Sequence, residues 1–116
     1  MSNYPERGEV YIVDLDPTKG SEQGKERPGI VLQNNTGNKY SPTTILAPIT
    51  SSYEEPYPVN VEIKSENSCL DKDSVVLLNQ LRTVSAKHRL KNNIGRLSER
   101  NMDRVEEAIR ISLGLE

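Results

Sequence analysis

Apolar residues in this chain come in short stretches, each stopped by Gly, Pro or a polar cluster, until residue 98, where the spacing changes. That pattern points to a small β-rich fold finished by one helix. Residues 8–15 centre on the β-formers Val10, Tyr11, Ile12 and Val13 and predict a strand. Residues 16–26 hold Pro17, Gly20 and Gly24 with almost nothing apolar, and predict a long loop of the kind that is often functional in a small domain. Residues 28–33 predict a second strand with Pro28 at its first position, 34–41 a polar turn around Gly37, and 43–50 a third strand interrupted only by Pro48. Residues 51–58 predict a second loop, 59–63 a short alternating strand, 74–78 an apolar strand, 81–84 its continuation after a bend, and 92–97 a last short strand. Then Met102, Val105, Ala108, Ile109, Ser112 and Leu113 fall on one helical face, with Arg104, Glu107 and Arg110 opposite. Ser98 is suited to cap that helix. Five to seven strands and a helix predict a mainly β fold with α: a small, strongly bent antiparallel β-barrel with a C-terminal helix.

The chain has 116 residues, which suits a single domain over 1–116. Only 34% of residues are hydrophobic and Phe and Trp are absent, so the core must come from Val, Ile, Leu and five Tyr. That is thin for the length, and pairing into a homodimer would help bury it. No apolar run approaches the roughly 20 residues that cross a bilayer. The first nine residues are polar, unlike a secretory leader, and one cysteine, Cys69, allows no internal disulfide. The expectation is a cytoplasmic protein with no membrane association. Cys69 sits in an acidic stretch, which favours an inert thiol.

Net charge is -2, which argues against a histone-like nucleic-acid binder. The distribution says more. Residues 80–98 contain no acid and carry Arg82, Lys87, His88, Arg89, Lys91 and Arg96. Such a zone suits docking of a short polyanion, or is a solvated strand-and-turn face.

Familiar catalytic sets are missing. One His rules out a two-imidazole pair within one subunit, and one Cys with one His makes no standard zinc site. No phosphate-binding glycine loop is present. Asp14 and Asp16 share a strand face but lack a third ligand nearby, so no metal and no cofactor is expected. What remains is the loop GSEQGKERP (20–28), which ends in Arg27 at the start of a strand. Its guanidinium is a permanent cation with a planar fork of donors that fits a phosphate. Thr50, ending the third strand, offers a hydroxyl to the same group. RNA cleavage by the neighbouring 2′-hydroxyl needs little more than orientation, charge stabilisation and proton movement. An Arg-Pro at a strand start also serves as an ordinary surface ion pair.

RGEVY (7–11), D-x-x-P (14–17), GSEQG-x-x-RP (20–28), VLQNN-x-GN (31–38), SPT (41–43), PIT (48–50), DSVVLLNQLRT (73–83) and MDRVEEAIRISLGL (102–115) occur in this order along nearly the whole chain. In that series the sequence resembles the MazF/PemK family of endoribonuclease toxins. The resemblance implies a dimer of SH3-like, CcdB-like barrels, metal-independent and sequence-specific cleavage of single-stranded messenger RNA, and neutralisation by a MazE-type antitoxin. By position it implies that Arg27 is the catalytic cation and that Thr50 binds the scissile phosphate. It implies RNA contacts by Ser21, Glu22 and Gln23 of the loop, by Asn38, and by Asn79, Gln80 and Arg82. Asn79 stands where some relatives have an acid, which bears on base specificity. Tyr53 and Tyr57 suit either stacking on bases or packing, and Tyr57 joins the expected RNA contacts. Glu26 stands beside Arg27 as a competing ion-pair partner, and His88 reads as an exposed turn histidine.

The rival reading is a non-catalytic CcdB-like toxin that binds and inhibits DNA gyrase, since fold does not fix function. Arg27 with Thr50 separates the two, because a gyrase-binding surface has no need of that pair.

Overall fold

A computed structural model describes residues 3–17, 19–20, 25–52 and 59–115. Seven strands run β1 (Glu9–Asp14), β2 (Glu26–Val31), β3 (Thr43–Thr50), β4 (Asn60–Ile63), β5 (Ser74–Leu77), β6 (Arg82–Ser85) and β7 (Leu90–Arg96). Three helices intervene or follow: α1 (Asn35–Tyr40), α2 (Ala86–Arg89) and α3 (Glu99–Leu113). All pairings are antiparallel, in the order β4-β5-β3-β2-β1-β7, with β6 beside β3. The expected mainly β architecture with a C-terminal helix is therefore present. The strand path has two ends, β4 and β7, so the sheet coils without closing on itself among the described residues.

β3 organises the sheet. One edge pairs with β2 through Leu46–Pro48 positions, while the other takes β6 at Thr43 to Leu46 and β5 at Ile49 and Thr50. Its alternate residues feed two separate cores, as the period of two requires. Ala47 and Ile49 join Val10, Ile30, Val61, Ile63, Val76 and Leu78 in the larger core, which Val105 and Ala108 of α3 cover. Leu46 joins Val13, Leu15 and Val84 in a smaller core on the opposite face, with Tyr11 and Leu90 against it. Pro48 does not interrupt β3.

α3 follows its sequence signals. The Ser98 hydroxyl accepts from the Asn101 N–H at 3.1 Å, and Gly114, at φ 67, closes the end with its N–H donating to the Ile111 carbonyl. α1 does not follow them: the expected turn is a helix. The Asn34 side chain caps it by accepting from the Gly37 N–H at 2.7 Å. Its buried residue is polar Asn38, so no apolar stripe announces it.

β1 and β7 change register twice between Val10 and Val13, and Gly95 sits opposite Val10 at φ +141. A Cβ on Gly95 would lie 2.5 Å from the Cys69 Cβ. Gly95→Ala should therefore destabilise the fold by about 2 kcal/mol or more, combining overpacking with backbone strain. Urea titration measures it, and an unchanged midpoint would refute the contact.

Candidate active site on the smaller-core face

β1 and β2 pair in the register Val13↔Arg27, Tyr11↔Gly29. Gly29 faces the smaller core, since a Cβ there would meet Val13 Cγ2 at 3.0 Å and Leu46 Cδ1 at 3.3 Å. Arg27, two residues away on the same strand, shares that face. On the other side β2 pairs with β3 as Gly29↔Pro48, Ile30↔Ala47 and Val31↔Leu46. The pairing ends at Gly29↔Pro48, two residues short of Arg27 on β2 and of Thr50 on β3. By strand alternation from the Gly29↔Pro48 pair, the two residues picked from distant motifs share one face.

Thr50 is only 5% exposed. Its Oγ1 accepts from the Ser52 N–H at 3.1 Å and donates to the Ser52 carbonyl at 3.4 Å. The long donation is the weaker of the two, so the hydroxyl proton can be re-aimed at a phosphate at small cost. Glu26 follows the strand alternation and points away from the Arg27 face, paired by backbone with Asp14.

The loop joining β1 to β2 is tied at its base. The Leu15 N–H donates to the Lys25 carbonyl at 2.9 Å, the Lys25 N–H to Asp16 Oδ1 at 2.8 Å, and the Asp16 N–H to Asp14 Oδ1 at 3.1 Å. The two aspartates thus cap loop amides. Among the described residues no three His, Cys, Asp or Glu are grouped as a metal site. Ser21, Glu22, Gln23, Tyr53 and Tyr57 lie outside the described residues.

Several expected RNA contacts fall elsewhere. Asn38 is 2% exposed and its amide is bonded internally. Its Oδ1 accepts from Thr44 Oγ1 at 2.7 Å and Gln33 Nε2 at 3.0 Å, and its Nδ2 donates to the Gln33 carbonyl at 2.9 Å. Asn79 is exposed in the turn between β5 and β6, and Gln80 is half-buried beside it, with its N–H on the Leu77 carbonyl. Arg82 turns to the loop base, where Nη1 donates to the Leu15 carbonyl at 2.6 Å.

The basic zone is not one surface. Leu90 of β7 lies opposite Val13, with β1 between it and Arg27, whereas Arg96 lies opposite Glu9, six residues and roughly 20 Å along the strand. Arg96 there pairs with Glu6 at 2.9 Å. Arg89, read from the sequence only as one member of the basic zone, bonds the carbonyls of Asp14 and Asp16. Its signal was the coincidence of an acid-free stretch with two aspartates at a strand end. His88 is exposed in α2, as expected. Burial raises the Cys69 thiol pKa, which fits an inert side chain.

A family model described as PemK-like, MazF-like toxin of type II toxin-antitoxin system matches residues 6–113. The chain belongs to this family. Over 110 residues it is 53% identical to the Endoribonuclease MazF of Staphylococcus saprophyticus, covering 94% of this chain and 91% of that protein. The same figures hold for Endoribonuclease MazF of Staphylococcus epidermidis. Solved structures of PemK/MazF toxins share the fold. MazF from Deinococcus radiodurans matches with a TM-score of 0.80 over 97% of this chain and 99% of that one, at 23% identity. An endoribonuclease in complex with its cognate antitoxin, from mycobacterial species, matches with 0.81 over 97% of both chains, at 21% identity. No helix among the described residues is long and apolar enough to cross a membrane.

Proposed function

We propose that this chain is a sequence-specific, metal-independent endoribonuclease toxin that cleaves single-stranded messenger RNA. What supports this most is 53% identity over 110 residues to proteins named Endoribonuclease MazF, with Arg27 and Thr50 on one face of the sheet. The substrate's 2′-hydroxyl attacks the adjacent phosphate. Arg27 stabilises the charge that develops on the phosphorane oxygens, and the Thr50 hydroxyl holds the scissile group. Ser21, Glu22, Gln23, Tyr57, Asn79 and Gln80 contact the RNA chain. Membership of the PemK/MazF family favours this reading over a gyrase-binding toxin.

The direct test is incubation of the purified protein with a mixed-sequence RNA in EDTA, followed by sequencing of the new ends. Cleavage at one short motif is expected, leaving 2′,3′-cyclic phosphate and 5′-hydroxyl termini. Activity lost in EDTA and regained with magnesium would overturn the metal-independent mechanism.

The toxin acts in the cytoplasm, as a single domain over 1–116, and as a homodimer that compensates for a core without Phe or Trp. A MazE-type antitoxin, acidic and folding on contact, occupies the same groove as RNA. An uncleavable RNA analogue and the antitoxin should therefore compete, with both affinities falling as salt is added. A stable ternary complex, or sedimentation of the free protein as a 13.0 kDa monomer, would contradict this arrangement.

A further inference from the structure

Two guanidinium groups distant in sequence converge on three successive carbonyls. Arg82 Nη1 donates to the Leu15 carbonyl at 2.6 Å. Arg89 Nη1 donates to the Asp14 carbonyl at 3.3 Å and to the Asp16 carbonyl, and lies 4.0 Å from Asp14 Oδ1. These carbonyls stand where β1 leaves the sheet for the loop that leads to Arg27. The same point is closed by the Leu15–Lys25 and Lys25–Asp16 bonds, with Lys25 held at φ 62. The Leu15 side chain is fully buried in the smaller core. Asp14 then pairs with Glu26, the residue before Arg27.

We propose that Arg82 and Arg89 are positioning residues for the cleavage reaction. By capping the carbonyls of Asp14, Leu15 and Asp16, they hold the base of the 16–25 loop so that Arg27 faces the scissile phosphate. This rests on the nuclease reading above, and gives Arg82 a different task from the base reading that the family resemblance implies. Carbonyls at a strand end have lost their ladder partners, and charge-assisted bonds to a guanidinium are roughly twice as strong as neutral ones. An anchor of this kind matters for catalysis because a shift of about 1 Å in a catalytic group can cost on the order of a hundredfold in rate.

The experiment compares Arg82→Gln and Arg89→Gln with the parent protein by amide exchange without RNA and by single-turnover cleavage. Exchange at Leu15 and Lys25 should speed up at least tenfold, while protection of β3 and β5 stays as in the parent. The cleavage rate should fall roughly 10- to 100-fold, mainly in kcat, with the salt dependence of RNA binding retained. The Lys variants should recover part of both losses, because an ammonium still donates to a carbonyl. Unchanged protection at Leu15 and Lys25 would overturn the proposal. So would a loss confined to KM with a salt slope shallower by about 0.7, the mark of a lost phosphate contact. If Arg82→Gln does not fold, Arg89→Gln, at a partly exposed side chain, carries the test. The exchange measurement needs no nuclease activity, so failure of the anchor and failure of the nuclease reading give different results.

Discussion

Replacing Arg27 by Ala should lower the cleavage rate by about 10²–10³, on the order of 3–4 kcal/mol of transition-state stabilisation, while leaving the fold intact. The size follows from where the residue sits. Arg27 pairs with Val13 of β1, and β2 is joined to β3 from Gly29 onward, so its backbone is placed by the sheet before RNA binds. A preorganised cation aimed at developing charge contributes far more than a surface cation free to wander. The side chain is half-buried and outside both apolar cores, so its loss should cost little stability. Arg27→Lys should also be slow, because a point charge lacks the planar fork that spans two phosphate oxygens. Thr50→Ala should lose less, since a neutral donor is removed. Single-turnover rates with circular dichroism as a folding control decide the matter. A well-folded Arg27→Ala protein that cleaves at the parent rate would end this mechanism.

An RNA with one 2′-deoxyribose on the 5′ side of the scissile phosphate should bind but remain uncut. The reaction depends on the neighbouring 2′-hydroxyl as nucleophile, and the substitution deletes it. The lost hydroxyl costs about one net hydrogen bond, about 1 kcal/mol in binding, so affinity falls only a few-fold. Chemistry, by contrast, has no attacking group left. Gel analysis at enzyme excess separates the two effects. Cleavage of the deoxy substrate at a comparable rate would mean that water attacks, and would redirect the search for a base to the loop residues.

The sequence made the strands and α3 legible because those signals are local. Period-two patterns of Val and Ile mark which segments pair, and Ser98 with Gly114 bracket a helix whose apolar stripe is its own. α1 left no such trace, because it is held by the polar network of Asn34, Gln33, Asn38 and Thr44 rather than by apolar packing. That network also occupies the amide of Asn38, which the family resemblance assigned to RNA contact. The basic residues from 80 to 98 read as one patch in sequence because charge was counted along the chain. Folding sends Arg82 and Arg89 to the loop base and Arg96 to Glu6, since a strand carries residues several ångströms apart per step and alternates their faces.

Arg27 and Thr50 were each recognisable from their motifs, and family membership follows from the order of those motifs. That the two share a face was decided by the β2–β3 register, which the side chains of Ile30, Ala47 and Leu46 set by filling two cores on opposite faces. A one-residue slip would turn Arg27 to the other face. The anchoring of the loop by Arg82 and Arg89 likewise spans 67 and more residues, a contact between a long cationic side chain and bare backbone carbonyls that no local pattern encodes.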